Sequence, residues 1–372
     1  MAKQLLAREV ILRDERSSCK RSVMFSGSNH CLEIPKAYIR PPAERPKLNE
    51  VASLDNISVL DLAHLNGPNR PLLIDRIRSA CRQDGFFQVI NHGVSEEVIN
   101  RLLEVAKEFF TMPIEKREKF YSEDPSSVIR LSTSFNVEKE EVYNWREFLR
   151  HHCYPLEKYV DTWPLDPPAY REAVGKYCTE VRALALRLLA AISESLGLEP
   201  DFLEKALGQQ AQHMAINYYP RCPNPELTFG LPAHSDPNAL TILLQGDVSG
   251  LQVFKNGQWC TVHPARNAFV VNIGDQLQVL SNGIYKSAIH RALVNAAEAR
   301  ISVPTFYCPS PDALIAPVPS LVTSDNPAQY RKFTYEEYYQ MFWSKNLEGN
   351  TCLNFFTVDS TNVSPPTEDD NL

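Results

Sequence analysis

The stretch LPAHSDPNALTILLQ, residues 231–245, decides how this chain is read. Its core, His234-Ser235-Asp236, stands just before ALTILLQ, an apolar run with the length and composition of a buried strand. In extended chain, residues two apart point the same way, so one imidazole and one carboxylate can converge on a common point. That pair supplies two ligands of a metal site and lacks a third. The late segment YKSAIHRALV offers His290, on a strand that a jelly roll folds back beside the first.

Two imidazoles and one carboxylate on one face of an octahedron leave three positions open, which is the arrangement of non-haem Fe(II) oxygenases. A structural site would instead be closed by four ligands, commonly including cysteine, and no cysteine accompanies these three. Taken singly, His-x-Asp reads more readily as a structural or surface pattern, and His290 as a strand histidine satisfied by a backbone carbonyl. The combination carries the signal. Ten residues after His290, Arg300-Ile301-Ser302 again aims alternate side chains to one side. A buried guanidinium needs an anion, its planar fork suits a carboxylate, and a neighbouring hydroxyl adds one more hydrogen bond. The plainer alternative pairs Arg300 internally with Asp275 or Glu298.

Bulk properties narrow the class. The 372 residues, 44% of them hydrophobic, can build a substantial core in one large domain or two small ones. Charge is spread as 38 basic against 45 acidic residues, without the Lys/Arg clustering that tracks a phosphate backbone, so nucleic acid is not an expected partner. No apolar stretch is long enough to cross a bilayer and the first thirty residues hold no signal-type block, so a soluble cytoplasmic protein without membrane association is expected. Nine cysteines stand singly with no CxxC pair, which fits a reducing compartment. No repeat at a fixed period is present.

Texture divides the chain into four regions. Residues 1–48 are polar and proline-interrupted and are expected to form a flexible extension in which function does not reside. Residues 49–208 read as a mixed, partly helical region: a helix from Pro71, a strand in GFFQVINHGV, a second helix closed by Pro113, and a long helix over 169–197. Over 209–345, eight short strands alternate with turn signals: HMAINYY, ALTILLQ, GLQVFK, QWCTVH, AFVVNIG, LQVLSN, SAIHRALV and ARISVPTFY. They predict a mainly β protein with flanking helices, its core a double-stranded β-helix of the cupin-like jelly-roll kind. Residues 346–372, ending SPPTEDDNL, read as a solvated tail.

The ordered set Asn217-Tyr218-Tyr219-Pro220, His234-Ser235-Asp236, His290 and Arg300-Ile301-Ser302 resembles the plant 2-oxoglutarate- and Fe(II)-dependent dioxygenases. The resemblance runs from GFFQVINHGV to Pro309. Within that family it points to the downy-mildew-resistance type, the salicylate hydroxylases, with flavone synthase I-like relatives. The stretches LSTSFNVEKEEVYNWREFLRHHCYPLEKYV and NIGDQLQVLSNGIYKS carry it outside the motifs. Two departures touch no ligand: a longer amino-terminal extension, and Ser235 where threonine is also common.

The resemblance implies that His234, Asp236 and His290 bind Fe(II), and that Arg300 with Ser302 holds the distal carboxylate of 2-oxoglutarate. Tyr219 and Asn217 would hydrogen-bond near the chelating end. Turnover would consume O2 and 2-oxoglutarate and release succinate and CO2, with ascorbate keeping the iron reduced. Phe135 and Phe306 would line a substrate pocket, although a strand aromatic is as readily core packing. An acidic phenol also needs a cation or several donors at its carboxylate, since a buried anion must be paired. Arg130 and Asn217 are the candidates, with a solvated loop position the alternative for Arg130. Trp145-Arg146-Glu147 is expected to close over the pocket from a helix or loop, after the solvated run EKEE. His151-His152-Cys153 is set aside as a second metal site because adjacent side chains point opposite ways.

The expectation is thus a monomeric dioxygenase acting on a small phenolic or other aromatic substrate, with salicylate hydroxylated at position 5 or 3. Flavone synthase I-like flavonoid oxidation, or oxidation of another specialised scaffold such as an alkaloid, is the alternative. A catalytically silent jelly-roll binding protein is the alternative of another class. It would normally show by loss of a ligand or of the cosubstrate arginine, and all five residues are present.

Overall fold

The computed structural model describes residues 33–48, 52–53, 57–135, 140–344 and 351–358. The strands that carry the fold are β1 (Ala52–Ser53), β2 (Val59–Asp61), β3 (Phe86–Ile90), β4 (Ile129–Ser132), β5 (Glu147–Tyr154), β6 (Ala211–Tyr219) and β7 (Leu231–His234). They continue as β8 (Leu240–Leu244), β9 (Leu251–Lys255), β10 (Gln258–Thr261), β11 (Phe269–Ile273), β12 (His290–Ala292) and β13 (Arg300–Cys308). The principal helices are α1 (Arg70–Gln83), α2 (Glu96–Thr111), α3 (Tyr170–Ser195), α4 (Asp275–Leu280) and α5 (Tyr335–Trp343).

Eight strands in the order β2-β3-β11-β8-β13-β6-β5-β4 form one sheet, and five in the order β1-β10-β9-β12-β7 form the other. The two face each other as a jelly roll that does not close into a barrel. Between them lies a small apolar cluster containing Phe86, Leu243, Leu251, Val253 and Val270. The outer face of the larger sheet is covered by α1, α2 and α3, and there the main core forms.

Alternation explains this layering. In β6, Met214 and Ile216 join the main core under the helices, while Ala215, Asn217 and Tyr219 face the other way, into a cavity between the sheets. In β8, Leu240, Ile242 and Leu244 take the helix side, and Thr241 and Leu243 take the cavity side. The stripe Val174, Cys178, Val181, Ala185, Leu188 and Leu189 of α3 is buried against the same core. Helix α2 starts on Ser95, whose Oγ accepts from the Val98 amide, with Glu96 and Glu97 in the first turn where the helix dipole favours negative charge.

Several expectations change. LQVLSN is helix α4 rather than a strand. The Asp275 amide donates to the Asp236 carbonyl, tying down its start, and Asn282 and Gly283 end the segment with φ of 50° and 74°. The division at residue 208 is not a boundary in space, because β3 pairs with β11 and β5 with β6 across it. Residues 33–48 of the expected flexible extension pack: Tyr38 is fully buried, edge-on to Tyr143 and Trp145. Likewise Cys352, Leu353 and Phe356, in the expected tail, belong to the main core. The first thirty residues and SPPTEDDNL lie outside the described residues.

EFLRHHCY forms β5, a strand the hydrophobic pattern does not announce. Its Leu149, His151 and Cys153 face the helical core, while Phe148 and Arg150 face the cavity. His151 is fully buried, with Nε2 at 2.9 Å from the Tyr170 hydroxyl and Nδ1 at 3.3 Å from the Met214 carbonyl. Burial holds its pKa down to about 4. A group depressed in the folded state gives stability that is present above its unfolded value, near 6.5, and is lost as the pH falls toward 4. We therefore expect His151→Gln to destabilise the protein less at pH 5.5 than at pH 7.5, by about 1.4 kcal/mol, in paired chemical denaturation curves. An equal penalty at both pH values would show that the ring is not held neutral.

Candidate active site

Strand β7 ends on His234, and β12 begins on His290 directly opposite it in the antiparallel register. Side chains directly opposite in a ladder share a face, so the two imidazoles stand together, ring centroids 4.2 Å apart. Asp236 follows in the turn after β7. Its Oδ1 lies 3.8 Å from His234 Nε2 and 3.7 Å from His290 Nε2, and one ligand atom from each residue falls within 4.8 Å of the others.

Each ligand is held by its far side. His234 Nδ1 is 2.9 Å from the Pro232 carbonyl and His290 Nδ1 is 3.1 Å from the Ala288 carbonyl. A carbonyl only accepts, so both rings carry their proton on Nδ1 and present the Nε2 lone pair to the centre. Phe86 packs edge-on against His290 at 5.3 Å. Asp236 Oδ2 accepts from Thr241 Oγ1 at 2.6 Å and from Asn272 Nδ2 at 2.7 Å, which leaves Oδ1 for a cation. Burial, then the neighbouring His290, hold the His234 pKa down to about 3, so the ring is a neutral ligand at pH 7. Burial opposes the charge on Asp236, yet the two imidazoles and the two hydrogen bonds hold its carboxyl below the usual range.

Three neutral or anionic donors converging from one side, with carbonyls and amides fixing their orientation, fit a divalent first-row metal and leave its other side open. Among the described residues this is the one such cluster. Thr241 and Asn272 are the residues that sequence reasoning missed. Asn272 left a trace, as the lone polar side chain of the apolar run AFVVNIG.

Beside the triad, β13 lies against β6 with Arg300 opposite Tyr219 and Ser302 opposite Asn217. All four side chains are nearly fully buried and line the cavity that reaches the three ligands. Arg300 Nε donates to the Val248 carbonyl at 3.0 Å, and the guanidinium lies 5.1 Å from the Tyr219 ring centroid. Among the described residues no carboxylate lies within ion-pair distance of it, and the expected alternative partner Asp275 instead accepts from Ser235 and Tyr338. Two glycines make the room. A Cβ on Gly230 would meet the Tyr219 ring at 2.6 Å, and one on Gly250 would meet the Arg300 side chain at 3.1 Å.

The remaining candidates scatter along the cavity wall. Phe306, on β13, and Phe135, after β4, both line it, and Phe135 stacks on Trp343 of α5 with centroids 3.9 Å apart. Arg130 is not a solvated loop residue. It is fully buried on β4, donating to the carbonyls of Ser122, Phe135 and Ser134 at 3.0, 2.9 and 3.3 Å. The triplet Trp145-Arg146-Glu147 separates. Trp145 packs with Tyr38, Arg146 enters the cavity and donates to Asn217 Oδ1 at 2.8 Å, and Glu147, on the opposite face of the strand, is buried in a pair with Arg117. Of the run EKEE, Glu140 is engaged by the Phe135 amide at 2.9 Å, and residues 136–139 lie outside the described residues.

Known proteins carry the same design. Residues 210–309 match the 2OG-Fe(II) oxygenase superfamily, and residues 57–170 match the non-haem dioxygenase in morphine synthesis N-terminal region. Flavanone 3-dioxygenase 2 of Oryza sativa subsp. japonica is 54% identical over 87% of this chain and 94% of its own. Protein DOWNY MILDEW RESISTANCE 6 of Arabidopsis thaliana is 53% identical over 87% of this chain and 95% of its own. The crystal structure of JOX2 in complex with 2OG, Fe and JA superposes with a TM-score of 0.81 at 37% identity, covering 89% of this chain and 96% of that one. With the His234-Asp236-His290 cluster in place, the chain belongs to the 2OG-Fe(II) oxygenase superfamily and is a dioxygenase that uses Fe(II) and 2-oxoglutarate.

Proposed function

We propose that this dioxygenase hydroxylates a small aromatic acid, with salicylate, oxidised at position 5 or 3, as the substrate. The observation that carries the reading is the character of the cavity. Its walls beyond the triad are aromatic, from Phe135, Phe148, Phe306, Phe342 and Trp343, yet the guanidinium groups of Arg146 and Arg150 also line it. A flat apolar body with one anionic group suits such a lining. The 53% identity to the downy-mildew-resistance protein supports the same reading. Flavanone or related flavonoid oxidation is the second reading, favoured by the 54% identity to the rice flavanone dioxygenase.

His234, Asp236 and His290 would hold Fe(II). Iron and 2-oxoglutarate, when bound, supply O2 activation coupled to release of succinate and CO2. The chain's own residues place and shield the reactants. Arg300 and Ser302 receive the distal carboxylate of 2-oxoglutarate through charge-assisted hydrogen bonds, and Tyr219 and Asn217 flank its chelating end. Thr241 and Asn272 keep the free oxygen of Asp236 aimed at the metal. The aromatic wall excludes water and sets the substrate ring beside the open side of the metal. Ascorbate serves as the reductant that keeps the iron in its Fe(II) state.

The deciding experiment supplies Fe(II), 2-oxoglutarate and ascorbate and compares salicylate with naringenin by mass spectrometry. A dihydroxybenzoate from salicylate, with equimolar succinate, is expected; oxidation of naringenin alone would replace this reading with the second. For the site itself, His234→Ala should lose iron binding and turnover together, and wild-type turnover in that variant would refute the metal assignment. Arg300→Ala should raise the KM for 2-oxoglutarate about 10- to 100-fold, as expected for loss of hydrogen bonds to a charged group. An unchanged KM would remove Arg300 from the cosubstrate site.

A further inference from the structure

The register of β4 on β5 sets Arg130 directly opposite Arg150, and like charges in that relation repel. Both side chains are buried, at 0% and 8% exposure, and both line the cavity. Elsewhere the chain pairs a buried guanidinium with an acid: Arg117, equally enclosed, meets Glu147 Oε2 at 2.5 Å. Among the described residues no carboxylate lies within ion-pair distance of Arg130, Arg146 or Arg150. Two cations side by side, with Glu140 and Asp124 acting on them only from beyond ion-pair distance, are a standing cost to the fold unless a ligand supplies a closer negative charge.

The three arginines differ in what they have left to give. Arg130 is committed to three backbone carbonyls. Arg146 gives Nη1 to Asn217 and, like Arg150, has a buried Nε without a partner, but it sits beside Asn217 and Tyr219, on the side of the cavity proposed for the cosubstrate. Arg150 directs only Nη2 to protein, at 2.5 Å from the Pro125 carbonyl and 3.0 Å from that of Ser127. Its Nε is buried with no partner. Two residues along β5 from Arg150, His152 stands opposite His213 of β6, their rings stacked with centroids 4.0 Å apart. His213 lines the cavity, and burial, with His152 and Arg150 beside it, keeps its ring uncharged. A neutral imidazole adds hydrogen-bonding capacity there without adding a further positive charge.

We infer that Arg150, with His213 beside it, is the substrate's carboxylate receptor and the residue that makes this pocket select acids over neutral analogues. The inference rests on the reading of the cavity as the site of a small aromatic substrate, and it assigns the anion to Arg150 rather than to Arg130 or Asn217. Arg300, on β13 beside Tyr219, remains available to the cosubstrate, so the two carboxylates have separate guanidinium groups.

The test measures equilibrium binding of salicylate and of its uncharged isostere salicylamide to the full chain loaded with Fe(II) and 2-oxoglutarate in the absence of O2. In the wild-type protein salicylate should bind about 10- to 100-fold more tightly than the amide, the range for a hydrogen bond to a charged group. Arg150→Gln should bring the two within about threefold, and Arg150→Lys should restore part of the preference. Equal wild-type affinity for acid and amide overturns the inference, and this comparison holds even if no variant folds. So does an undiminished preference in Arg150→Gln. If salicylate does not bind but benzoate or cinnamate shows the acid preference over its own amide and Arg150→Gln abolishes it, the inference stands and the salicylate reading falls.

Discussion

A shift of one residue in the pairing of β12 with β7 would turn His290 to the opposite face of its sheet and leave His234 with Asp236 alone. The site therefore depends on register before it depends on any single contact. That register is fixed from both sides, because β12 also pairs with β9, with His290 opposite Val253. The second requirement is that Asp236, which lies beyond the end of β7, be brought back under the two imidazoles. Thr241 and Asn272 do this from β8 and β11 of the larger sheet. Thus the smaller sheet contributes the two histidines, and the larger sheet aims the carboxylate. The sandwich is itself the device that assembles the site.

Much of this was legible in the residue pattern. HSD before an apolar strand, a histidine on a late strand and an Arg-x-Ser ten residues beyond point in combination to three metal ligands and a buried arginine, and those side chains do converge on one cavity. The helices were equally readable, since α1, α2 and α3 each bury a single stripe and begin or end on proline, serine or a turn signal. LQVLSN misled because six residues with mixed apolar positions fit either period. What makes it a helix is a tether from Asp275 to the Asp236 carbonyl, and this lies forty residues away in the logic of the fold rather than in local sequence.

The illegible part has one cause. A strand whose inner face lines a polar cavity does not alternate apolar with polar in the usual sense, so EFLRHHCY does not stand out as a strand although it is eight residues of one. Arg150 and His152 point to one side, and Leu149, His151 and Cys153 point toward the helices. The same inversion hid Arg130, whose isolated charge suggests solvent but whose donors are spent on backbone carbonyls around it. The roles of Thr241 and Asn272 were hidden for a related reason: their hydrogen bonds to Asp236 join residues five and thirty-six positions away from it, and only the completed sandwich brings Asn272 within reach.

The stack of Phe135 on Trp343 joins two segments that belong to neither sheet's central strands, one just past β4 and one at the end of α5. The metal ligands, by contrast, sit on or beside paired strands, with β12 held between β7 and β9. Inheritance can therefore act on the two parts at different speeds. Exchange of a few residues in the 133–135 turn or the last turn of α5 would reshape the mouth of the cavity while the oxygen-activating centre stays untouched. The wall that would meet a substrate and the centre that would meet oxygen are thus held by separate parts of the fold.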